Sequence, residues 1–168
     1  MVSSESFHLE VYDTTLRDGA QAEDVSFSVD DKIRIAQKLD ELGIHFIEGG
    51  WPGANPRDIE FFQMIKSVPL QHAKIVAFGS TRKVGHAPEE DQTLKALLDA
   101  DTRIITLFGK SWPLHVTDAL GTTLEKNLDL IQDSIAYLRV QGKSVSVSYT
   151  HLRAHETRHD LVCRLLLE

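Results

Sequence analysis

Strand-like and helix-like stretches alternate along this chain, and that alternation limits its fold more than any other feature. Leu9 to Leu16 is rich in β-branched and aromatic residues and runs into Asp18-Gly19, which reads as a strand closing on a turn. Ser28 is placed to cap a helix reaching about Leu42, with Asp30 and Asp31 in the first turn, where the helix dipole favours carboxylates, and Gly43 just past its end. HFIEGG (45–50) reads as a second strand, and Asn55-Pro56 as the cap and first residue of a helix to about Val68. KIVAFGS (74–80), a helix near Asp91–Asp99 and RIITLFGKS (103–111) continue the rhythm. Thr123 to Leu138 follows, with Leu124, Leu128, Ile131, Ile135 and Leu138 on one expected apolar face and Glu125, Lys126, Asp129 and Asp133 on a solvated one. Lys143 to Ser148 begins a fifth strand. Strict alternation predicts an α/β fold with a parallel sheet flanked by helices. An open doubly wound sheet and an eight-fold barrel both begin this way, and spacing does not separate them.

The composition fits an ordinary soluble domain. The 168 residues are 42% hydrophobic and 26% charged, enough for a real core. A net charge of -7 argues against a nucleic-acid surface. No apolar run approaches the roughly 18 residues that a membrane helix needs. The start, MVSSESFHLEVYD, lacks the basic and apolar segments of a secretory signal, so a cytoplasmic location is expected. The single cysteine, Cys163, rules out an internal disulfide framework.

In either architecture, ligands bind at the carboxyl ends of the strands. Those ends carry Arg17 and Asp18, then Glu48, then Phe78 to Ser80, then Lys110 to Trp112. An Asp at a strand end suits a hard cation, and an adjacent Arg suits a carboxylate or a developing oxyanion. A local ion pair closing the turn explains Arg17-Asp18 equally well on spacing alone. Glu48 reads either as a group near the chemistry or as a buried partner of Arg17, and the two roles are compatible. Gly49 and Gly50 read as a place where backbone approaches a ligand. Lys110 and Ser111 read as pocket lining or solvated loop, and His115 as a substrate contact or a surface residue beside a helix. FGKSW lacks the spaced glycine of a phosphate-binding loop.

The stretch YDTTLRDGAQ (12–21) resembles the signature of the metal-dependent aldolase and lyase superfamily, which includes isopropylmalate, homocitrate and citramalate synthases and hydroxymethylglutaryl-CoA lyase. IEGGWP (47–52) resembles that family's second-strand motif, while AFGSTRK (77–83) and TLFGKSWPLHVTDAL (106–120) resemble the citramalate synthase branch. The resemblance implies the N-terminal half of a (β/α)8 TIM barrel. It implies an acyltransferase that condenses acetyl-CoA with pyruvate in a Claisen-type step toward isoleucine. It implies a divalent metal (Mg2+, Mn2+ or Zn2+) bound in part by Asp18; it also implies catalytic roles for Arg17 and Glu48 and substrate contacts from Arg17, Gln21, Ser111 and His115. It further implies small-molecule partners, no nucleic acid or membrane, and a homodimeric parent. Isopropylmalate or homocitrate synthesis is the nearest alternative, and a non-catalytic half-barrel binding module is the alternative of another class.

A barrel of this kind takes about 250 residues. The family draws further metal ligands from a later His-x-His pair and a catalytic acid from just after strand five. Neither is present, so the chain by itself is expected to be inactive and its open edges prone to aggregate. The end of the sequence breaks the pattern. VSYTHLRAHET (147–157) resembles the translation of an adapter used in transposase-based sequencing libraries, and LVCRLLLE (161–168) resembles its continuation. The expectation is a partial-barrel catalytic domain over residues 1–145 and a non-native tail over 146–168.

Overall fold

A computed structural model describes residues 9–148 of the chain. Five parallel strands, β1 (Tyr12–Asp13), β2 (Phe46–Gly50), β3 (Lys74–Ser80), β4 (Ile104–Phe108) and β5 (Ser144–Ser148), lie side by side in sequence order. Four helices, α1 (Val29–Glu41), α2 (Pro56–Ile65), α3 (Gln92–Asp99) and α4 (Leu124–Val140), make the crossovers. This is the N-terminal half of a (β/α)8 barrel: neighbours in sequence are neighbours in the sheet, with no reversal of strand order as in a doubly wound sheet. The tail from residue 149 lies outside the described residues.

Local chemistry sets the element ends. The Ser28 hydroxyl accepts the N–H of Asp31 while the Asp31 carboxylate accepts the N–H of Ser28, so two otherwise unpaired donors at the start of α1 are satisfied reciprocally. Asn55 caps α2 through Arg57 N–H, with Pro56 at its first position. Asp91 caps α3 through the N–H groups of Thr93 and Leu94 and also accepts that of Lys83.

The first strand is shorter than the sequence predicts. Only Tyr12 and Asp13 pair with β2, because Asp13 then captures both the N–H (2.9 Å) and the hydroxyl (3.0 Å) of Thr15. The Thr14 carbonyl accepts N–H groups from Arg17, Asp18 and Gly19, so the chain coils at once. The buried face of α4 also differs from the expected one. Leu128 is 65% exposed and Leu124 is exposed, while Asn127, Leu130, Ser134 and Leu138 are buried. Polar docking sets this rotation: Ser134 Oγ accepts Arg82 N–H at 2.9 Å, and Asn127 Nδ2 donates to the Lys110 carbonyl at 2.8 Å. Asp133, expected on a solvated face, pairs with Arg82 at 2.5 Å.

Alternation along the strands divides the sheet into two faces. Ile47, Ala77, Ile105 and Leu107 face the helices and pack with Phe61, Phe62, Leu94, Leu97 and Leu138 in one apolar core. The opposite face, the inside of the barrel, carries Tyr12, Glu48, Phe78 and Thr106, and there the candidate site forms.

Candidate active site

Arg17 leaves the turn after β1 and folds back over the inner face. Its guanidinium carbon lies 4.0 Å from the centre of the Phe78 ring, a stacking that suits a planar, weakly hydrated cation. Its Nε donates to Glu48 Oε1, and one terminal nitrogen donates to Asp18 Oδ1 at 3.0 Å. Glu48 is 2% exposed. Its other oxygen accepts the Tyr12 hydroxyl at 2.5 Å, and that hydroxyl also lies 2.8 Å from Thr106 Oγ1. Burial of an unpaired carboxyl group would be costly, and the guanidinium on one oxygen and the phenol on the other offset that cost.

Arg17, Asp18 and Glu48 are therefore brought together as one connected cluster. Asp18 alone of the three opens to solvent, with its side chain 48% exposed. A half-open carboxylate suits a hard cation, but one carboxylate supplies only part of a coordination shell. Among the described residues, no three His, Cys, Asp or Glu side chains gather closely enough to hold a metal ion.

Of the other expected contacts, Gln21 shares a cleft with Arg17, whereas Ser111 and His115 stand apart from the cluster. Gln21 is exposed in a single 3-10 turn (Gly19–Gln21), its N–H bonded to the Asp18 carbonyl. It lines a cleft of about 190 Å3 that also involves Arg17, Lys32, Trp51, Asn55 and Arg57. Ser111 is exposed in the loop after β4. His115 begins a short π-helical turn, His115–Ala119, with its ring 4.7 Å from Trp112 and its Nδ1 buried without a hydrogen-bond partner. Ser111 and His115 share the Arg17 end of the sheet, but no hydrogen bond or ring contact joins either to the cluster.

The glycine pair does something other than expected. A Cβ on Gly49 would meet the Phe61 ring, and one on Gly50 would lie 2.5 Å from Asp58 Oδ2. These glycines thus make room for α2, and Gly50 takes a φ of 150° that side chains disfavour. Asp58 in turn pairs with Lys32 at 2.5 Å, Lys32 also reaches the Gly49 carbonyl at 2.8 Å, and the second Asp58 oxygen accepts Trp51 N–H at 2.8 Å. This buried lock fixes the end of β2, and with it Glu48.

Sequence reasoning missed Tyr12, Thr106 and the Lys32–Asp58 pair. Thr106 had a readable signal: it is the one polar residue in the apolar strand IITLF. Lys32 and Asp58 had none, since single charges on two helices read as surface.

The HMGL-like family profile matches residues 8–166. The chain is 55% identical over 143 residues to the (R)-citramalate synthase of Geobacter sulfurreducens, an alignment covering 85% of this chain and 27% of that protein. It is 57% identical over 141 residues to the (R)-citramalate synthase of Synechocystis sp., covering 84% and 26%. It thus spans about a quarter of the length of these curated relatives. The crystal structure of hydroxymethylglutaryl-CoA lyase from Pseudomonas aeruginosa superposes with a TM-score of 0.61 at 19% identity, covering 82% of this chain and 44% of that one, a likeness of fold. A profile match over nearly the whole length, together with the five-stranded half barrel, makes this chain a member of the HMGL-like family.

Proposed function

We propose that the chain forms the first half of the catalytic barrel of a citramalate synthase-type acyltransferase, which joins acetyl-CoA to pyruvate. The observation that carries this reading is the seating of Arg17, clamped between Glu48 and the Phe78 ring and directed to a half-open carboxylate at the carboxyl end of the sheet. The 55% and 57% identities to citramalate synthases support pyruvate as the 2-oxo acid.

In this reading the acetyl methyl group loses a proton, its carbon attacks the ketone carbon, and the ketone oxygen becomes an alkoxide that takes up a proton. Water then cleaves the thioester and releases free CoA. Arg17 stabilises the negative charge growing on the ketone oxygen, where a fixed donor is worth more than mobile water. Glu48 and Phe78 keep Arg17 from relaxing toward solvent. Asp18 would supply one oxygen to a divalent cation (Mg2+, Mn2+ or Zn2+), which when bound polarises the ketone as a Lewis acid. Gln21, Ser111 and His115 line the approach to this end of the sheet as substrate contacts. On this reading Asp18 is the one metal ligand within residues 9–148, the catalytic acid and the remaining ligands lie outside them, and free-CoA release is expected of the full-length enzyme only.

The test is free-CoA release by the full-length enzyme with acetyl-CoA and a panel of 2-oxo acids. Pyruvate should be the preferred acceptor. Preference for 2-oxoisovalerate or 2-oxoglutarate would instead assign isopropylmalate or homocitrate synthesis. We propose further that residues 1–145 are the partial-barrel domain and 146–168 a translated adapter, although the family match runs on to residue 166. Reading source DNA across the Val145 junction from a library made without that adapter decides it. A frame continuing into an acidic strand end supports the proposal, and an encoded VSYTHLRAHET overturns it.

A further inference from the structure

Tyr12 lies on β1 and Thr106 on β4, with β2 and β3 between them in the sheet. Their hydroxyls nevertheless stand 2.8 Å apart. The Tyr12 phenol spans the concave inner face and links the first strand to the fourth. The direction of every proton in this chain of contacts follows from chemistry. A carboxylate only accepts, so Tyr12 donates to Glu48 Oε2. The phenol oxygen then accepts from the Thr106 hydroxyl. Arg17 Nε donates to the remaining Glu48 oxygen. Two donors thus converge on Glu48, Tyr12 from β1 and Arg17 from the turn after it, while Thr106 of β4 acts only through the phenol.

From this we infer that Tyr12 is a positioning residue for the proposed condensation: through Glu48 it fixes the rotation of Arg17, and Thr106 orients it. A carboxylate held by Arg17 alone can swing about its terminal torsion, which is broad and roughly two-fold. Tyr12 removes that freedom, and a guanidinium set to the wrong angle would miss the ketone oxygen. The same contact holds Glu48 as an anchor, with each of its oxygens tied to a different donor. This inference rests on the proposed function for its kinetic readout, though not for its structural one.

The experiment is Tyr12→Phe in the full-length synthase, with Thr106→Val as a second variant that leaves the phenol in place. For Tyr12→Phe, kcat should fall by about tenfold, as for loss of one hydrogen bond to a charged group, while KM for acetyl-CoA stays within about twofold. Thr106→Val should cost less, and the double variant should be no worse than Tyr12→Phe, because both act through one chain of contacts. Exchange of the Arg17 Nε proton, followed by nitrogen-15 NMR, should speed up by about tenfold in Tyr12→Phe. Unchanged kcat together with unchanged Nε exchange overturns the inference, as does a double variant whose losses multiply. If the parent enzyme shows no condensation at all, the functional reading fails, and the Nε exchange alone then judges the role of Tyr12.

Discussion

Arg17–Glu48 and Lys32–Asp58 are both buried ion pairs, and both are anchored to the end of β2. They differ in how their remaining hydrogen-bonding capacity is used. Lys32 is closed off by Asp58 and the Gly49 carbonyl, and Asp58 by Lys32 and the Trp51 N–H. This pair turns inward and fastens α1 and α2 to the strand end. Arg17 is fixed on one side by Glu48 and Phe78, but its other edge reaches Asp18, whose side chain is 48% exposed. Buried charge alone therefore does not mark a site. What sets the candidate site apart is a fixed cation whose outer edge pairs with a half-exposed carboxylate. Replacing a closed pair with apolar groups should be tolerated, whereas the open pair is retained for what it presents.

Asp58→Ala should give the largest effect, a loss of about 3–5 kcal/mol in urea denaturation, because Lys32 would remain as an uncompensated buried charge. The paired change Lys32→Met with Asp58→Leu should come back to within about 1 kcal/mol of the parent. A small loss for Asp58→Ala alone would mean that Lys32 reaches water, and the contrast between the two pairs would collapse. Arg17→Lys comes next. It keeps the charge but loses the Nε geometry toward Glu48, so CoA release by the full-length enzyme should fall by about a hundredfold while stability moves by about 1 kcal/mol. Equal losses in activity and stability would make Arg17 another closed support. Gly50→Ala should cost about 2 kcal/mol, since its Cβ meets the Asp58 carboxylate and its φ of 150° disfavours a side chain. Adding Asp58→Ala should relieve the clash, so the two losses should fall short of adding.

The fold was largely legible because strand and helix alternation is written in periodicity and caps. Ser28 and Asn55 each start a helix where their side chains predict it. The site was legible at Arg17, Asp18 and Glu48, where charged residues fall at strand ends. It was not legible at Tyr12, whose role depends on sheet curvature bringing β1 within a phenol's reach of β4. Nor was the buried face of α4 legible. Its leucines are periodic, but Ser134 and Asn127 take the inner positions through bonds to Arg82 and Lys110, partners that no local pattern reveals.

Asp40 shows a third way to bury a carboxylate, and it yields the smallest effect expected here. It lies at the opposite end of the sheet and forms no ion pair among the described residues; it accepts the N–H groups of Gln71, His72 and Ala73 at 2.6 to 2.8 Å, and the His72 ring adds a weaker charge interaction. Burial works against its ionised form, but the three amide donors outweigh burial and hold its carboxyl below the ordinary value of 3.8. Its folded-state value is thus lower than its unfolded one. Its contribution to stability is fully present above about pH 4 and is lost as pH falls through the lowered folded value, where the unfolded chain binds the extra proton. Asp40→Asn should cost about 1 kcal/mol at neutral pH, because one amide would then face a donor instead of an acceptor. The gap between parent and variant should narrow as pH drops below about 4. A gap that stays constant down to pH 2.5 would show that the three amides hold Asp40 by packing alone, and that carboxylates at this end of the sheet owe nothing to their charge.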